Sequence, residues 1–218
     1  MRPLTIAIDG PSGVGKGTVA RAVASALGYR HVDSGAMYRA VAWKALQSGV
    51  PENDEDAVAA LAAASRIEIN DARITIDDQD VTRAIRTPEI DRGAAAVARL
   101  PKVRAILVER QRHLGAGGGI VMEGRDIGTV VFPAAEVKIY LDAAPEERAR
   151  RRASDPARNG PTAVAEVVTE LAARDEIDRT RAISPLLAAP DAVVIDTTGK
   201  LVDAVVAEVL AIAQRRSL

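Results

Sequence analysis

Nine residues near the N-terminus, Gly10-Pro11-Ser12-Gly13-Val14-Gly15-Lys16-Gly17-Thr18, carry a G-x-x-x-x-G-K core. Glycines at these places let successive main-chain N–H groups turn toward one centre, where they hold anionic oxygens, and Lys16 adds a point charge for terminal phosphates. The flanking sequence fits that chemistry. The apolar run Leu4-Thr5-Ile6-Ala7-Ile8 precedes the stretch, and Val19, Ala20, Val23, Ala24 and Leu27 follow it at helical spacing, with Gly28 as a stop. A strand, a glycine-rich loop and a helix N-terminus in that order make a cradle for nucleotide phosphates, to which the helix dipole contributes.

One position departs from the general pattern. Gly17 stands where a Ser or Thr hydroxyl usually binds magnesium, and Thr18 comes one residue later. Magnesium is then left to water or to other groups, so the metal ligands are unknown from sequence. Asp9 has two readings, as an outer partner of the ion or as a hydrogen-bonding cap on the loop.

The elements that must position this loop alternate along the chain. Residues 29–32 read as a second strand, 35–47 as a helix stopped near Gly49, and residues 120–122, 137–141 and 192–195 as further core strands, with a last helix over 201–214. Five strands with intervening helices predict a doubly wound, three-layer α/β fold around a parallel sheet. In such sheets ligands sit at the carboxyl ends of strands, which is where Asp9-Gly10, Asp33-Ser34, Glu123-Gly124-Arg125-Asp126 and Asp142 fall. Between them the period changes to two: Ile67 and Ile69, then Ile74 and Ile76, alternate with polar residues. Residues 63–84 therefore read as an inserted antiparallel β lobe. Thr87-Pro88-Glu89 and Pro101 open two more helices.

Composition narrows the classes. The chain has 218 residues, 48% of them hydrophobic and 27% charged, and a formal net charge of -1. That length suits one domain with an insertion, and that charge offers no global basic excess for a nucleic-acid polymer. No stretch approaches the ~18 apolar residues of a membrane span, so a cytoplasmic location is expected. The absence of Cys excludes disulfides and thiolate chemistry. Of 29 basic residues only five are lysines, so arginines must be weighed by position. His31 and His113, the two histidines, read as structural or surface residues.

Three segments go further: Asp33-Ser34-Gly35-Ala36-Met37-Tyr38-Arg39, Glu123-Gly124-Arg125-Asp126-Ile127-Gly128-Thr129-Val130-Val131-Phe132-Pro133, and Arg174-Asp175 through Arg181. Together with the Gly-Lys-Gly-Thr form of the loop they resemble the bacterial cytidylate kinases, a family of nucleoside monophosphate kinases, over nearly the whole chain. The resemblance implies transfer of the terminal phosphate of ATP to CMP and dCMP with Mg2+, by a monomer. It assigns Lys16, Arg39, Arg125 and Arg181 to catalysis, residues 10–18 with Arg148 and Arg152 to ATP, and Arg39, Arg125 and Arg181 to the acceptor phosphate. Arg174 and Asp178 go to the ribose, with Tyr38 and Ser34 nearby, and Arg104 and Asp126 go to the base. It also implies a monophosphate-binding region over 34–115 and a mobile lid over 146–162. Ala95 stands where a Ser often contacts the base, and Glu123 replaces an Asp.

Residue types support these roles. An acceptor monophosphate is already anionic near neutral pH, so transfer needs neutralisation and alignment more than a general base, and planar guanidinium forks supply both. A carboxylate facing the cytosine amine and a guanidinium facing N3 or O2 are complementary to cytosine and mismatched to uracil. In the helix from residue 163 onward, Val164, Val168 and Leu171 define an apolar face toward which Asp175 and Asp178 turn, and Arg174 and Arg181 flank Asp178. Such inward carboxylates require partners. They serve either a ligand or an interhelical ion-pair network. The helix opened by Pro145, with Glu146 and Glu147 before Arg148 to Arg152, is either a solvated, dipole-compensated helix or a lid that closes over the triphosphate. Two other function classes stay open: a nucleotide-binding regulatory module without transfer, and a kinase of another small molecule.

Overall fold

The computed structural model describes residues 3–70, 73–154 and 164–216. Its first strand, β1 (Thr5–Asp9), runs into the phosphate loop, and α1 (Lys16–Leu27) leaves it. Then come β2 (Arg30–Asp33), α2 (Ser34–Gln47) and α3 (Glu55–Ala64). A three-stranded antiparallel sheet follows, formed by β3 (Ile67–Asn70), β4 (Arg73–Ile76) and β5 (Gln79–Asp80). Two helices begin at prolines, α4 (Pro88–Val97) and α5 (Pro101–Gly115). β6 (Ile120–Gly124) is followed by a π-helical turn, Ile127–Val131, and by β7 (Val137–Asp142) and α6 (Pro145–Ala153). The chain closes with α7 (Val164–Thr180), β8 (Val193–Asp196) and α8 (Val202–Arg216).

The five long-range strands form one parallel sheet in the order β2-β6-β1-β7-β8. Its two faces are read off the side-chain alternation. Ala7, Val32, Ile120 and Met122 face a core shared with α2, α3 and α5, while Ile6, Ile8, Val121 and Ile139 face one shared with α1 and α8. Helices on both sides explain why these strands are near-continuous apolar runs. Ile6 and Ile8 are wholly buried, and truncating either to Ala would cost about 2–5 kcal/mol.

The local signals act as expected at several ends. Gly28 ends α1 at φ 66, and the side chains of Asp33 and Thr87 accept from the amides of Ala36 and Ile90 to cap α2 and α4. Asp77 and Asp78, both with positive φ, make the two-residue hairpin turn between β4 and β5. Three expectations shift. Residues 63 and 64 belong to α3, so the β lobe begins later than residue 63. α3 and the π-helical turn were not anticipated. In α7 the buried apolar residues are Val167 and Leu171 while Val164 is exposed, because the helix faces its core about one residue away from the expected register. Asp175 and Asp178 are buried as the periodicity required.

Strand register brings the chemistry to one edge. Asp9 lies opposite Gly124, and Asp33 opposite Glu123, so the three segments that leave β1, β2 and β6 emerge side by side.

Candidate active site

A cleft of about 680 Å³ runs along that edge, with the phosphate loop at one end and Arg104 and Asp126 at the other. At the loop end, Gly13 and Gly15 have φ of 84 and 91, values that side chains resist. Gly10, at φ 145, is needed for another reason: a Cβ there would fall 2.1 Å from the Leu141 carbonyl oxygen of β7. Lys16 folds back and donates from Nζ to the Pro11 carbonyl at 2.6 Å. Gly10 and Pro11 thus shape the loop from behind, while Ser12 to Thr18 line the cleft. Burial, followed by the charge of Arg125, holds the Lys16 ammonium well below its usual pKa. An anion beside it would restore the charged form.

Asp9 caps, but not the phosphate loop. Its Oδ1 and Oδ2 accept from the amides of Ile127 and Gly128 at 2.8 and 2.7 Å, which ties β1 to the π-helical turn after β6. Those bonds turn both oxygens toward the π-helical turn. Glu123 stands beside Gly17: Oε1 lies 3.0 Å from where a Cβ on Gly17 would stand, and 3.3 Å from His31 Nε2. Among the described residues no three acidic or histidine side chains converge into a metal cage. A single carboxylate beside a phosphate loop suits an ion that arrives coordinated by phosphates and water.

The middle of the cleft is crowded with arginine. Arg39 donates to Asp33 at 2.6 Å, and Arg125 Nε donates to Asp178 Oδ2 at 3.0 Å. Arg181 lies 3.9 Å from both Asp178 and Asp126, and Arg174 lies 4.0 Å from Asp91. Burial opposes charge on Arg39 and Asp33 alike, yet each stabilises the other, so Asp33 is held below the usual carboxylate range and Arg39 above its own. Arg174 and Arg181 are not so well compensated. Burial, then Arg125 beside one and Arg104 beside the other, lowers both. A phosphate dianion would relieve that repulsion.

At the far end, Arg104 Nη2 donates to Asp126 Oδ2 in a pair whose side chains are 4% and 8% exposed. The guanidinium sits 5.5 Å from the Tyr38 ring centroid, a cation–π distance. Burial pushes the Tyr38 phenol up to about 12, so it stays neutral. Ser34 is fixed by donation from Oγ to the Glu123 carbonyl at 2.7 Å. Ala95 lines this end and brings no hydroxyl.

Arg148 falls elsewhere than expected. Its guanidinium is buried against Asp175, joining α6 to α7, and it is not part of the cleft lining; its main chain packs on Gly13. Its neighbour Arg151 lines the cleft instead, bonded to Thr197 and to the Val14 carbonyl. Arg152 also lines it and pairs with Asp91 of α4. Of the expected lid, residues 155–162 lie outside the described residues. Asp33, Asp91 and Thr197 are partners the sequence reading did not assign, whereas Asp175 enters an ion pair between helices, one of the two uses that reading left open. Asp33 was signalled by its place before Ser34, whereas Asp91 is 61 residues from Arg152 and carries no local signal. His31 is buried as a partner of Glu123, and His113 is exposed.

Residues 6–215 match the family model described as cytidylate kinase. The chain is 47% identical to a cytidylate kinase of Symbiobacterium thermophilum, covering 96% of this chain and 95% of that one, and 44% identical to that of Clostridioides difficile, covering 96% and 98%. It is also 48% identical to part of a bifunctional pantoate ligase/cytidylate kinase of Synechococcus, covering 90% of this chain and 38% of that protein. Among solved structures, a gluconokinase from Sinorhizobium meliloti superposes with a TM-score of 0.51 at 16% identity, over 98% of this chain and 93% of the other, which is a likeness of fold.

Proposed function

This chain belongs to the cytidylate kinase family, and we propose that its cleft transfers the terminal phosphate of ATP to CMP and dCMP. The observation that carries the reading is the cleft's two-ended form. A phosphate loop with its lysine stands at one end, a buried Arg104–Asp126 pair at the other, and Arg39, Arg125 and Arg181 between them.

Residues 12–18 hold the triphosphate through main-chain amides and Lys16, with Arg152 and Arg151 closing from α6. Arg39, Arg125 and Arg181 neutralise the acceptor phosphate and align its oxygen for in-line attack, so no side chain need act as a strong base. Arg174 and Asp178, with Tyr38 and Ser34 beside them, hold the sugar. Asp126 accepts from the cytosine amine, and Arg104 donates to N3 or O2. Residues 34–115 serve as the acceptor region, and α6 is the described part of the lid.

The residues present fit Mg2+ brought in with ATP. Bound there, Mg2+ would offset the negative charge that develops on the transferred phosphate. Glu123, whose carboxylate stands beside Gly17, would hold it through water. Among the described residues no helix is long and apolar enough to cross a membrane, and we place the enzyme in the cytoplasm as a monomer. ADP release measured with CMP, dCMP, UMP, AMP and GMP as acceptors tests the reading. CMP and dCMP should lead; an inert CMP beside a faster AMP or UMP would overturn it.

A further inference from the structure

Ser184 lies just past α7, outside every motif discussed above, and its backbone is unusual. Among the described residues three non-glycine positions have φ in the left-handed region, and two of them, Asp77 and Asp78, form the hairpin turn where aspartate is at home. The third is Ser184, at φ 53. No tight hairpin demands that conformation. A serine held there points to work done by its polar atoms.

Those atoms meet two cleft arginines. Ser184 Oγ accepts from Arg104 Nε at 3.3 Å, and the Ser184 carbonyl accepts from Arg181 Nε. The segment is anchored from behind, since the Leu186 amide donates to the Asp178 carbonyl at 2.7 Å and the Leu186 side chain is buried. Its neighbours Ile183 and Leu187 are exposed, so apolar packing on them does not impose the turn. A left-handed residue turns its side chain and its carbonyl to directions a helical residue could not combine. Here one points to Arg104 and the other to Arg181. Arg104 also donates from Nη1 to the Ala98 carbonyl at 3.2 Å and from Nη2 to Asp126, so with each Nε engaged the guanidinium planes are fixed and the remaining terminal N–H groups are left for Asp178 and a ligand.

We propose that Ser184 is a positioning residue of the acceptor site, clasping the guanidinium that reads the base and the one that meets the acceptor phosphate from a single point on the backbone. Ala95 brings no hydroxyl to this end of the cleft, and Ser184 places one on Arg104 Nε. The inference rests on the roles proposed above for Arg104 and Arg181.

Ser184→Ala removes the hydroxyl and keeps the strained backbone; Ser184→Gly removes both. With purified full-length enzyme, both variants should raise KM for CMP about five-fold, the scale of one lost hydrogen bond. KM for ATP and kcat should stay within about two-fold. Ser184→Gly should melt at a higher temperature than Ser184→Ala, because glycine accepts a left-handed φ, and still not recover CMP affinity. Wild-type KM for CMP in both variants, or a KM that follows melting temperature instead of the hydroxyl, overturns the proposal. Arg104→Ala separates the two levels. If it raises KM for CMP while the Ser184 variants do not, the clasp alone fails; if it changes nothing, the base-reading role of Arg104 fails with it.

Discussion

The carboxylate of Glu123 occupies the space in front of Gly17: a Cβ on Gly17 would lie 3.0 Å from Glu123 Oε1. The residue after the phosphate-loop lysine lacks a side chain at the point where an acid from β6 reaches the loop. His31, buried behind it, holds the same oxygen at 3.3 Å.

If Glu123 holds Mg2+ through water, Glu123→Gln should raise the Mg2+ concentration for half-maximal rate about ten-fold, the effect expected of a group one step out from the ion. Binding of Mn2+ with ATP, followed by electron paramagnetic resonance, gives a readout independent of turnover. An unaltered metal requirement would remove Glu123 from the ion's surroundings.

Base reading is tested by acceptor choice. Asp126→Asn replaces an obligate acceptor with a side chain that also donates, which suits the O4 of uracil better than the amine of cytosine. The ratio of kcat/KM for CMP over UMP should fall at least about ten-fold. A ratio equal to that of the wild type, in an enzyme that still binds CMP, would show that Asp126 does not face the base.

The parts of this site legible in the sequence were those coded by spacing. The glycine pattern gave the phosphate loop, alternation of Ile67, Ile69, Ile74 and Ile76 gave the β lobe, and helical period brought Asp175 and Asp178 inward. Through-space partners were not legible, since nothing in the segment around Asp91 announces Arg152 or Arg174. α3 had a usable signal in Asp54 before Glu55 and Asp56, but its alanines gave little period. The π-helical turn had none: the Phe132 amide reaches the Ile127 carbonyl, a spacing set by the need to present two amides to Asp9. The Arg148–Asp175 pair was not legible because a run of arginines on one helix does not say which one turns inward.

That buried arginine allows a stability test. Arg148 and Asp175 have side chains 6% and 5% exposed, so Asp175→Ala should leave an uncompensated charge and cost about 3–5 kcal/mol in urea unfolding. Arg148→Met with Asp175→Leu should recover most of that loss, and KM for ATP in the double variant should remain near wild type. A double variant that folds well but binds ATP poorly would return Arg148 to the donor site.

The last test concerns Asp9, whose carboxyl is pushed up by burial from 3.8 to about 6, against the pull of the Gly128 and Ile127 amides. The folded protein then keeps this proton over a pH range in which the unfolded chain has lost it. The resulting stabilisation is complete below pH 3.8 and disappears as pH rises through 6, a change of about 3 kcal/mol in all. Asp9→Asn lacks this titration. It should be less stable at low pH, where asparagine cannot accept both amides as the carboxyl does, but its pH dependence should differ in a defined direction. Subtracting the unfolding free energy of the variant from that of the wild type removes the other acids, and the difference should fall by about 2.4 kcal/mol between pH 4 and 7. A flat difference would mean that the two amides outweigh burial and that Asp9 is ionised throughout. The tie between β1 and the π-helical turn would then be a charged one at every pH where the enzyme folds.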